Sequence, residues 1–309
     1  MEAVNCRYAR AERGWTMSDD DWFEQDTEDS PDDGPSTDDF ESAFDGEIGG
    51  DGPSTDDFES AFDAGSGGSE EFDEEFDSDI PRIDLGINGL DNMIQGGVPE
   101  RSLMVVMGSA GTGKTTFGLQ FLNEGIENGE RGVYITLEET KDAVRRAATE
   151  KGWPFDEYMA ENKLAVVDLD PIEMANSLTS IRGDLPRLID AFGAERLVLD
   201  SVSLLEMMYD EQSARRTEVF DFTKALKSAG ISTMVTSEVS DTDSYTSKYG
   251  IIEYLTDAVF VLQYVRSDFK ETRLAVEIQK IRNANHSRET KPYEITSDGI
   301  SVYQQASIF

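Results

Sequence analysis

The sequence predicts an α/β domain, and three observations support this fold class. Runs with the pattern of short buried strands occur at 102–107, 132–139 and 195–200. The first run leads through a glycine-rich loop into a segment with helical periodicity, and the other two end in carboxylates. Residues 81–309 suffice for one such domain with a substantial core.

Residues 1–80 differ in composition from the rest of the chain. Between 18 and 79 there are 26 acidic residues and no lysine or arginine, within a chain whose formal net charge is −37. Such a segment cannot bury enough apolar surface to offset its conformational entropy. We therefore predict a disordered acidic N-terminal tail over 1–80 and a folded domain over 81–309.

The acidic tail contains an 18-residue repeat, because the segment Asp33–Asp45 recurs letter for letter at Asp51–Asp63. Each copy spaces two phenylalanines four residues apart and a degenerate third copy follows, which makes the pairs Phe40/Phe44, Phe58/Phe62 and Phe72/Phe76. On a helix this spacing puts both rings on one face. The repeats then either fold against a basic, apolar groove of an unknown protein partner or only solvate the chain.

The composition excludes several classes of function. The single cysteine, Cys6, rules out an internal disulfide framework, and the single histidine, His286, rules out a histidine-cluster metal centre. Because attraction to phosphates needs basic surface, the acidic balance argues against nucleic acid as a partner. No apolar run approaches the roughly 18–20 residues that span a bilayer, so we predict a soluble, cytoplasmic protein. Excess acid with scarce lysine is typical of proteins in concentrated salt, which predicts a halophilic source.

The glycine-rich loop has the pattern Gly-x-x-x-x-Gly-Lys-Thr between a predicted strand and a predicted helix, as phosphate-binding loops require. Glycines let the backbone curl until its amides point at phosphate oxygens, and the helix N-terminus adds its positive end. The lysine reaches the β- and γ-phosphates, and the threonine hydroxyl ligates Mg²⁺. We therefore predict that a nucleoside triphosphate with Mg²⁺ is bound by Gly108, Ser109, Ala110, Gly111, Thr112, Gly113, Lys114, Thr115 and Thr116.

Carboxylates end the two strands that would lie near this loop. Asp200 ends the third run, where a carboxylate can hold the magnesium shell, so Thr115 and Asp200 are the predicted metal ligands. Glu138 and Glu139 end the second run. A carboxylate there can orient and polarise an attacking water, but acidic residues also begin helices, and the pattern alone leaves both readings open.

A late strand is predicted over Glu277–His286. Lys280 and Arg282 are two residues apart and would therefore point to the same side of this strand. Two cations on one side of an acidic protein are available to contact phosphate, although the same pattern also fits solvated strand residues.

These motifs together resemble the KaiC-type branch of the RecA superfamily over about residues 81–305. The resemblance is carried, in chain order, by Leu85-Gly-Ile-Asn-Gly-Leu-Asp91, Gly96-Gly-Val-Pro99, the glycine-rich loop, Glu138-Glu139, Asp200-Ser201 and Lys280-Ile-Arg282. It implies a RecA-like P-loop NTPase core, with a mostly parallel twisted sheet and helices on both of its faces. It also implies that the nucleotide is ATP, bound at the carboxyl ends of the strands.

Roles for four charged residues follow from the resemblance. Glu138 and Glu139 match the catalytic carboxylate pair of the family. Lys280 and Arg282 match its Lys-x-Arg motif, which touches the γ-phosphate of the neighbouring subunit. An active site between the subunits of a ring, a homo-hexamer, is thereby implied. The chain would then act as an ATP-binding, slowly hydrolysing switch in signalling or motility regulation.

The chain departs from KaiC in two respects. It has one domain where KaiC has two, and Glu253-Tyr254-Leu255 stand where the second KaiC domain has a Ser-Thr phosphoacceptor pair. Clock-type autokinase activity is therefore not implied, and the remaining candidate acceptors are Thr236, Thr242, Ser244, Thr246 and Ser247.

Two other functions stay open. The first is a non-hydrolysing ATP-binding scaffold, like the regulator of the archaeal swimming motor. The second is a recombination mediator that binds single-stranded DNA. Asp241–Gly250 falls where RecA recombinases place a DNA-binding loop, but Lys248 is its only basic residue, which counts against the second function.

Overall fold

The computed structural model describes residues 79–266 and 272–306. The predicted acidic tail, apart from its last two residues, lies outside the described residues together with its repeats, so both stay predictions. A short antiparallel pair comes first, with strands β1 (Arg82–Ile83) and β2 (Val98–Pro99). A nine-stranded sheet follows, with strands β3 (Leu103–Gly108), β4 (Gly132–Thr136), β5 (Leu164–Asp168), β6 (Arg196–Asp200), β7 (Ser232–Ser237), β8 (Ala258–Arg266), β9 (Thr272–Ile281), β10 (Lys291–Thr296) and β11 (Gly299–Val302).

Seven α-helices occur in the described part of the chain: α1 (Lys114–Glu127), α2 (Lys141–Thr149), α3 (Phe155–Ala160), α4 (Pro171–Phe192), α5 (Val202–Met207), α6 (Gln212–Ser228) and α7 (Ile252–Leu255). Local sequence sets several of their ends. The Thr140 side chain caps α2, the Asp170 side chain caps α4, and α4 stops at Gly193 in a left-handed conformation. None of the helices within 79–266 and 272–306 is long and apolar enough to cross a membrane.

The sheet is mostly parallel, as the family resemblance implies. Its strand order is β11-β10-β9-β8-β3-β7-β6-β4-β5, and the strands from β8 to β5 in this order are mutually parallel. The remaining three strands are antiparallel additions at one side. Because parallel strands share one carboxyl edge, the segments that follow β3, β4 and β6 meet there.

Apolar side chains cover both faces of the sheet. Along β3, Met104 and Val106 belong to one cluster, whereas Val105 and Met107 belong to another, as the alternation of a strand requires. Helices α1, α2 and α3 complete the first cluster, and α4, α5 and α6 complete the second. The predicted α/β class, with helices on both faces of a RecA-like sheet, is therefore confirmed.

The predicted extent of the late strand was wrong. Strand β9 spans Thr272–Ile281, so it begins before Glu277 and ends before His286. Asn283 has φ of 59°, a left-handed conformation that asparagine tolerates and that no continuing strand uses. His286 instead forms an isolated bridge with Ile94.

Candidate active site

The glycine-rich loop joins the end of β3 to the start of α1. Lys114 Nζ donates to the carbonyl oxygens of Gly108 at 2.9 Å and Ser109 at 3.3 Å, so the ammonium lies back over the loop. Gly111 and Gly113 have φ of 80° and 91°, conformations that glycine adopts without strain. The curled backbone, the helix N-terminus and the lysine together fit a bound triphosphate.

Asp200 ends β6 and is only 3% exposed. Its Oδ2 atom accepts hydrogen bonds from Thr115 Oγ1 and from the Tyr134 hydroxyl, both at 2.7 Å, and its Oδ1 atom accepts one from Thr236 Oγ1 at 2.5 Å. The two predicted metal ligands, Thr115 and Asp200, are therefore in direct contact. A hydroxyl and a carboxylate beside a phosphate-binding loop fit Mg²⁺, which commonly takes few protein ligands and completes its shell with water and phosphate oxygens.

Tyr134 and Thr236 were not predicted as partners of Asp200. Tyr134 is fully buried on β4, and burial, followed by the charge of Asp200, raises its pKa well above the ordinary value, so its hydroxyl remains a donor. Thr236 is fully buried on β7, which makes it unavailable as the phosphoacceptor that the sequence had allowed. These strands flank β6 on its two sides, so only the strand order brings both hydroxyls to Asp200.

Replacing Tyr134 by phenylalanine tests this contact, because the change removes one hydroxyl and keeps the buried ring. We expect a loss of about 1.5–3 kcal/mol in the free energy of unfolding, the usual range for a hydrogen bond to a charged group. Urea unfolding measures this loss. The control is Tyr158→Phe, because the Tyr158 hydroxyl makes only a 3.4 Å contact with Asn123 Oδ1. Equal losses in the two variants would contradict a specific contribution from Tyr134.

Glu138 and Glu139 lie between β4 and α2. Helix α2 starts at Lys141 after its cap residue Thr140, so both glutamates precede the cap and do not begin the helix. Ser201 follows Asp200 through a cis peptide bond, and its hydroxyl donates to Glu138 Oε1 at 2.5 Å. The Glu138 carboxylate is therefore directed towards the end of β6.

The backbone of this glutamate pair is fixed by one side chain. The Thr136 hydroxyl accepts hydrogen bonds from the amides of Glu138 at 3.3 Å and Glu139 at 2.9 Å, and it donates to the Glu139 carbonyl at 3.0 Å. The charges of both glutamates contribute to the raised pKa of Tyr134, the residue whose hydroxyl donates to Asp200. A carboxylate in this position can act on a water beside a phosphate.

Lys280 lies on β9, but Arg282 lies one residue beyond its end, so the predicted placement of both on one side of a strand was wrong. Both side chains nevertheless contact the same segment, residues 253–257. Lys280 Nζ donates to the carbonyl oxygens of Glu253 at 2.7 Å and Thr256 at 2.8 Å. One guanidinium nitrogen of Arg282 contacts Asp257 Oδ1 at 3.2 Å, and the other contacts the Tyr254 carbonyl at 3.4 Å. Burial, followed by the charge of Arg282, lowers the pKa of Lys280.

These two cations are separated from the glycine-rich loop of the same chain. Gly108 pairs with Leu262 at the carboxyl end of β3, whereas Ala258, at the start of β8, pairs with Met104 near the amino end of β3 and with Ile281 on β9. Four residues along a strand span about 13 Å. The structure thus brings Lys114, Thr115, Asp200 and Glu138 together, but it places Lys280 and Arg282 towards the opposite edge of the sheet.

Comparisons with known proteins agree with this architecture. The family model described as ATPase: KaiC matches residues 83–307. The circadian clock oscillator protein KaiC of Parathermosynechococcus lividus is 32% identical over 231 residues, which cover 72% of this chain and 42% of that protein. KaiC of Synechococcus elongatus is 32% identical over 224 residues, which cover 70% and 43%. The crystal structure of a KaiC-like protein from the archaeon Pyrococcus horikoshii matches with a TM-score of 0.65 and 35% identity, over 72% of this chain and 99% of that chain.

The matched region contains all the residues of the candidate site. The chain spans less than half the length of the two KaiC proteins that it matches, whereas it covers nearly the whole archaeal KaiC-like chain. The family match, the level of identity and the parallel sheet with its glycine-rich loop all agree. The chain belongs to the KaiC ATPase family, within the RecA superfamily of P-loop ATPases.

Proposed function

We propose that this chain is an ATP-binding, slowly hydrolysing regulatory ATPase whose active site is completed between the subunits of a homo-hexameric ring. The separation of Lys280 and Arg282 from the glycine-rich loop carries this proposal. A single chain holds both halves of a phosphoryl-transfer site but keeps them towards opposite edges of its sheet. Two copies in a head-to-tail contact can bring these halves together.

Each residue has a role in this proposal. Lys114 and the loop amides bind the triphosphate, and Thr115 with Asp200 would hold Mg²⁺, which supplies charge neutralisation at the phosphates. Glu138, oriented by Ser201, takes the proton of the attacking water. Lys280 and Arg282 of the adjacent copy stabilise the charge that develops on the transferred phosphoryl group.

The state of the ring would be read by a protein partner in signalling or motility regulation. In this proposal the acidic tail, through its phenylalanine pairs, contacts that partner. The chain and its partner work in a cytoplasm rich in salt, where the large negative charge keeps the protein soluble.

DNA binding is the weaker alternative on structural grounds. The only basic residue of 241–250, Lys248, has its ammonium 3.6 Å from Glu238 Oε2. A loop whose one cation faces a carboxylate has little positive potential to offer to phosphates. The alternative of a non-hydrolysing scaffold involves the same ATP site as the proposed ATPase. The two functions differ only in whether the bound ATP is hydrolysed.

Light scattering in high salt, with and without Mg²⁺–ATP, tests the proposal when it is combined with a phosphate-release assay. We expect a nucleotide-dependent increase to the mass of a ring, with slow turnover. Binding of ATP without turnover would support the scaffold instead. A monomer that hydrolyses ATP would overturn the shared active site.

A further inference from the structure

Glu206 is a buried acid that the proposed mechanism does not use. It lies on α5, is fully buried, and is the only carboxyl of the described residues whose two oxygens are both buried without a hydrogen-bond partner. Burial raises its pKa to about 8, the charge of Glu253 raises it as well, and Arg215 lowers it. Glu206 is therefore mostly uncharged at neutral pH.

The surroundings of Glu206 provide little to neutralise a negative charge. Helix α6 contributes Arg215, and α7 contributes Glu253, which is itself acidic. Strand β7, packed against α5, has no titratable residue, and α4 contributes Met174 and Leu178 to the apolar cluster that also contains Leu205. An ionised Glu206 would thus add a negative charge within the electrostatic range of Glu253, in a largely apolar setting.

Arg215 is already committed to other groups. Its Nε atom donates to the carbonyl oxygen of Glu206 at 3.0 Å, and a terminal nitrogen donates to the Tyr209 carbonyl at 2.6 Å. Its guanidinium also stacks on the Tyr249 ring at 4.0 Å. This cation therefore holds the end of α5 through the backbone, while the Glu206 carboxyl stays unpaired.

Helix α5 connects the nucleotide side of the sheet to the segment before α7. It begins directly after Asp200 and Ser201, and its residue Ser203 bonds the Ser237 hydroxyl at 3.1 Å and accepts from the Glu238 amide at 2.9 Å. A shift of α5 would therefore displace residues both at the end of β6 and at the end of β7.

Helix α7 supports the cation pair. The Glu253 carboxylate accepts from the Ser247 hydroxyl at 2.5 Å, and the Glu253 carbonyl accepts from Lys280. Glu253 and Lys280 also line a common cavity of about 400 Å³. The charged neighbour of Glu206 thus belongs to the element that positions Lys280.

We propose that Glu206 is a positioning residue for Lys280 and Arg282, and that only its uncharged form lets α7 hold this pair in place. The inference rests on the proposed function, because Lys280 and Arg282 matter for turnover only if they act in the shared active site. It adds that a buried acid outside this site controls where the two cations lie. Ionisation would add a negative charge that repels the Glu253 carboxylate, and this repulsion is relieved by displacing α7, which carries Glu253. Turnover should therefore fall as Glu206 loses its proton.

The test compares the pH dependence of ATP turnover in the wild type and in Glu206→Gln. One pH unit above a pKa of about 8, about one molecule in ten keeps the proton, so we expect wild-type kcat to fall about tenfold between pH 7 and pH 9. The Glu206→Gln variant should keep its neutral-pH kcat across this range. KM for ATP should change little in either protein, because the glycine-rich loop is remote from α7. Glu211→Gln, at an exposed glutamate five residues further on, is the matched control and should behave as wild type.

Urea unfolding of the nucleotide-free protein gives an independent measurement. Because the folded pKa is raised from 4.5 to about 8, the folded state binds more protons between these values, and stability should fall as pH rises through that interval. This slope should be smaller in Glu206→Gln. Glu206→Gln could reduce the pH dependence of stability and still show the wild-type fall of turnover with pH. That result would mean that Glu206 is a buried acid without a positioning role, and it would overturn the proposal.

The proposed function and this inference fail in different ways. If Lys280→Ala and Arg282→Ala keep full turnover at pH 7, the shared active site is wrong and this inference falls with it. If both variants lose turnover but Glu206→Gln retains the alkaline fall of the wild type, only the role of Glu206 is wrong.

Discussion

Mixing a Lys114→Ala variant with a Lys280→Ala/Arg282→Ala variant is expected to restore ATP hydrolysis that neither variant shows alone. Each variant retains the half of the site that the other lacks. In a randomly mixed ring, each interface joins two subunits in one of four equally frequent combinations. Only one combination is intact, the one in which the cation variant supplies the loop and the loop variant supplies the cations, so we expect about a quarter of wild-type turnover. Trans-acting cations of this kind contribute about 10³–10⁵ in kcat, which leaves the separate variants nearly inactive.

The control for the mixing experiment is a chain that carries all three substitutions. Mixed with the Lys114→Ala variant, this chain cannot form an intact interface and should restore nothing. Phosphate release is measured after the two proteins have exchanged subunits, which a mass measurement on differently tagged chains establishes. Exchange without any restored turnover would contradict a site shared between subunits.

Glu138→Gln is expected to abolish turnover far more completely than Glu139→Gln. The amide keeps the hydrogen bond from Ser201 but cannot take a proton from water, and the loss of a general base costs about 10²–10⁴ in rate. We expect Glu139→Gln to lose less than about tenfold, because the structure holds this residue through its backbone. Single-turnover phosphate release measures both effects.

Two further measurements distinguish a loss of catalysis from a loss of folded structure in the Glu138 and Glu139 variants. Both variants should bind ATP as wild type does, since Lys114 and the glycine-rich loop are unchanged. Ser201→Ala should give an intermediate loss of turnover, because it releases the Glu138 carboxylate without removing it. If Glu139→Gln proves the more damaging change, the assignment based on the Ser201 hydrogen bond is wrong.

Much of the sheet was predictable because its central strands carry two signals at once. Strands β3 and β6 are short apolar runs that end at Gly108 and Asp200, so pattern and motif define the same boundary. Strand β4 ends at Thr136, before the two glutamates that the sequence placed at its end. Strand β9 has no such marker at its end. It ends at Ile281, and the left-handed Asn283 follows two residues later, a conformation that the apolar pattern does not reveal.

The candidate site was predictable where adjacency follows from parallel topology. Thr115 and Asp200 touch because the strands before them share a carboxyl edge. Tyr134 reaches Asp200 only because β4 lies next to β6, and that order is a property of the whole sheet. Glu206 looks like an ordinary helical glutamate in sequence, and its burial depends on how α5 packs against α4 and β7.

The placement of the two half-sites gives each subunit two different binding edges, so that copies can join only head to tail. One edge of the sheet presents a nucleotide site that lacks its cations, and the other presents cations that lack a nucleotide. Under the proposed assembly, an open row of n copies carries n − 1 complete sites, whereas a closed ring of the same copies carries n. Activity per subunit then reports ring closure itself, and each ring that opens on dilution loses one active site.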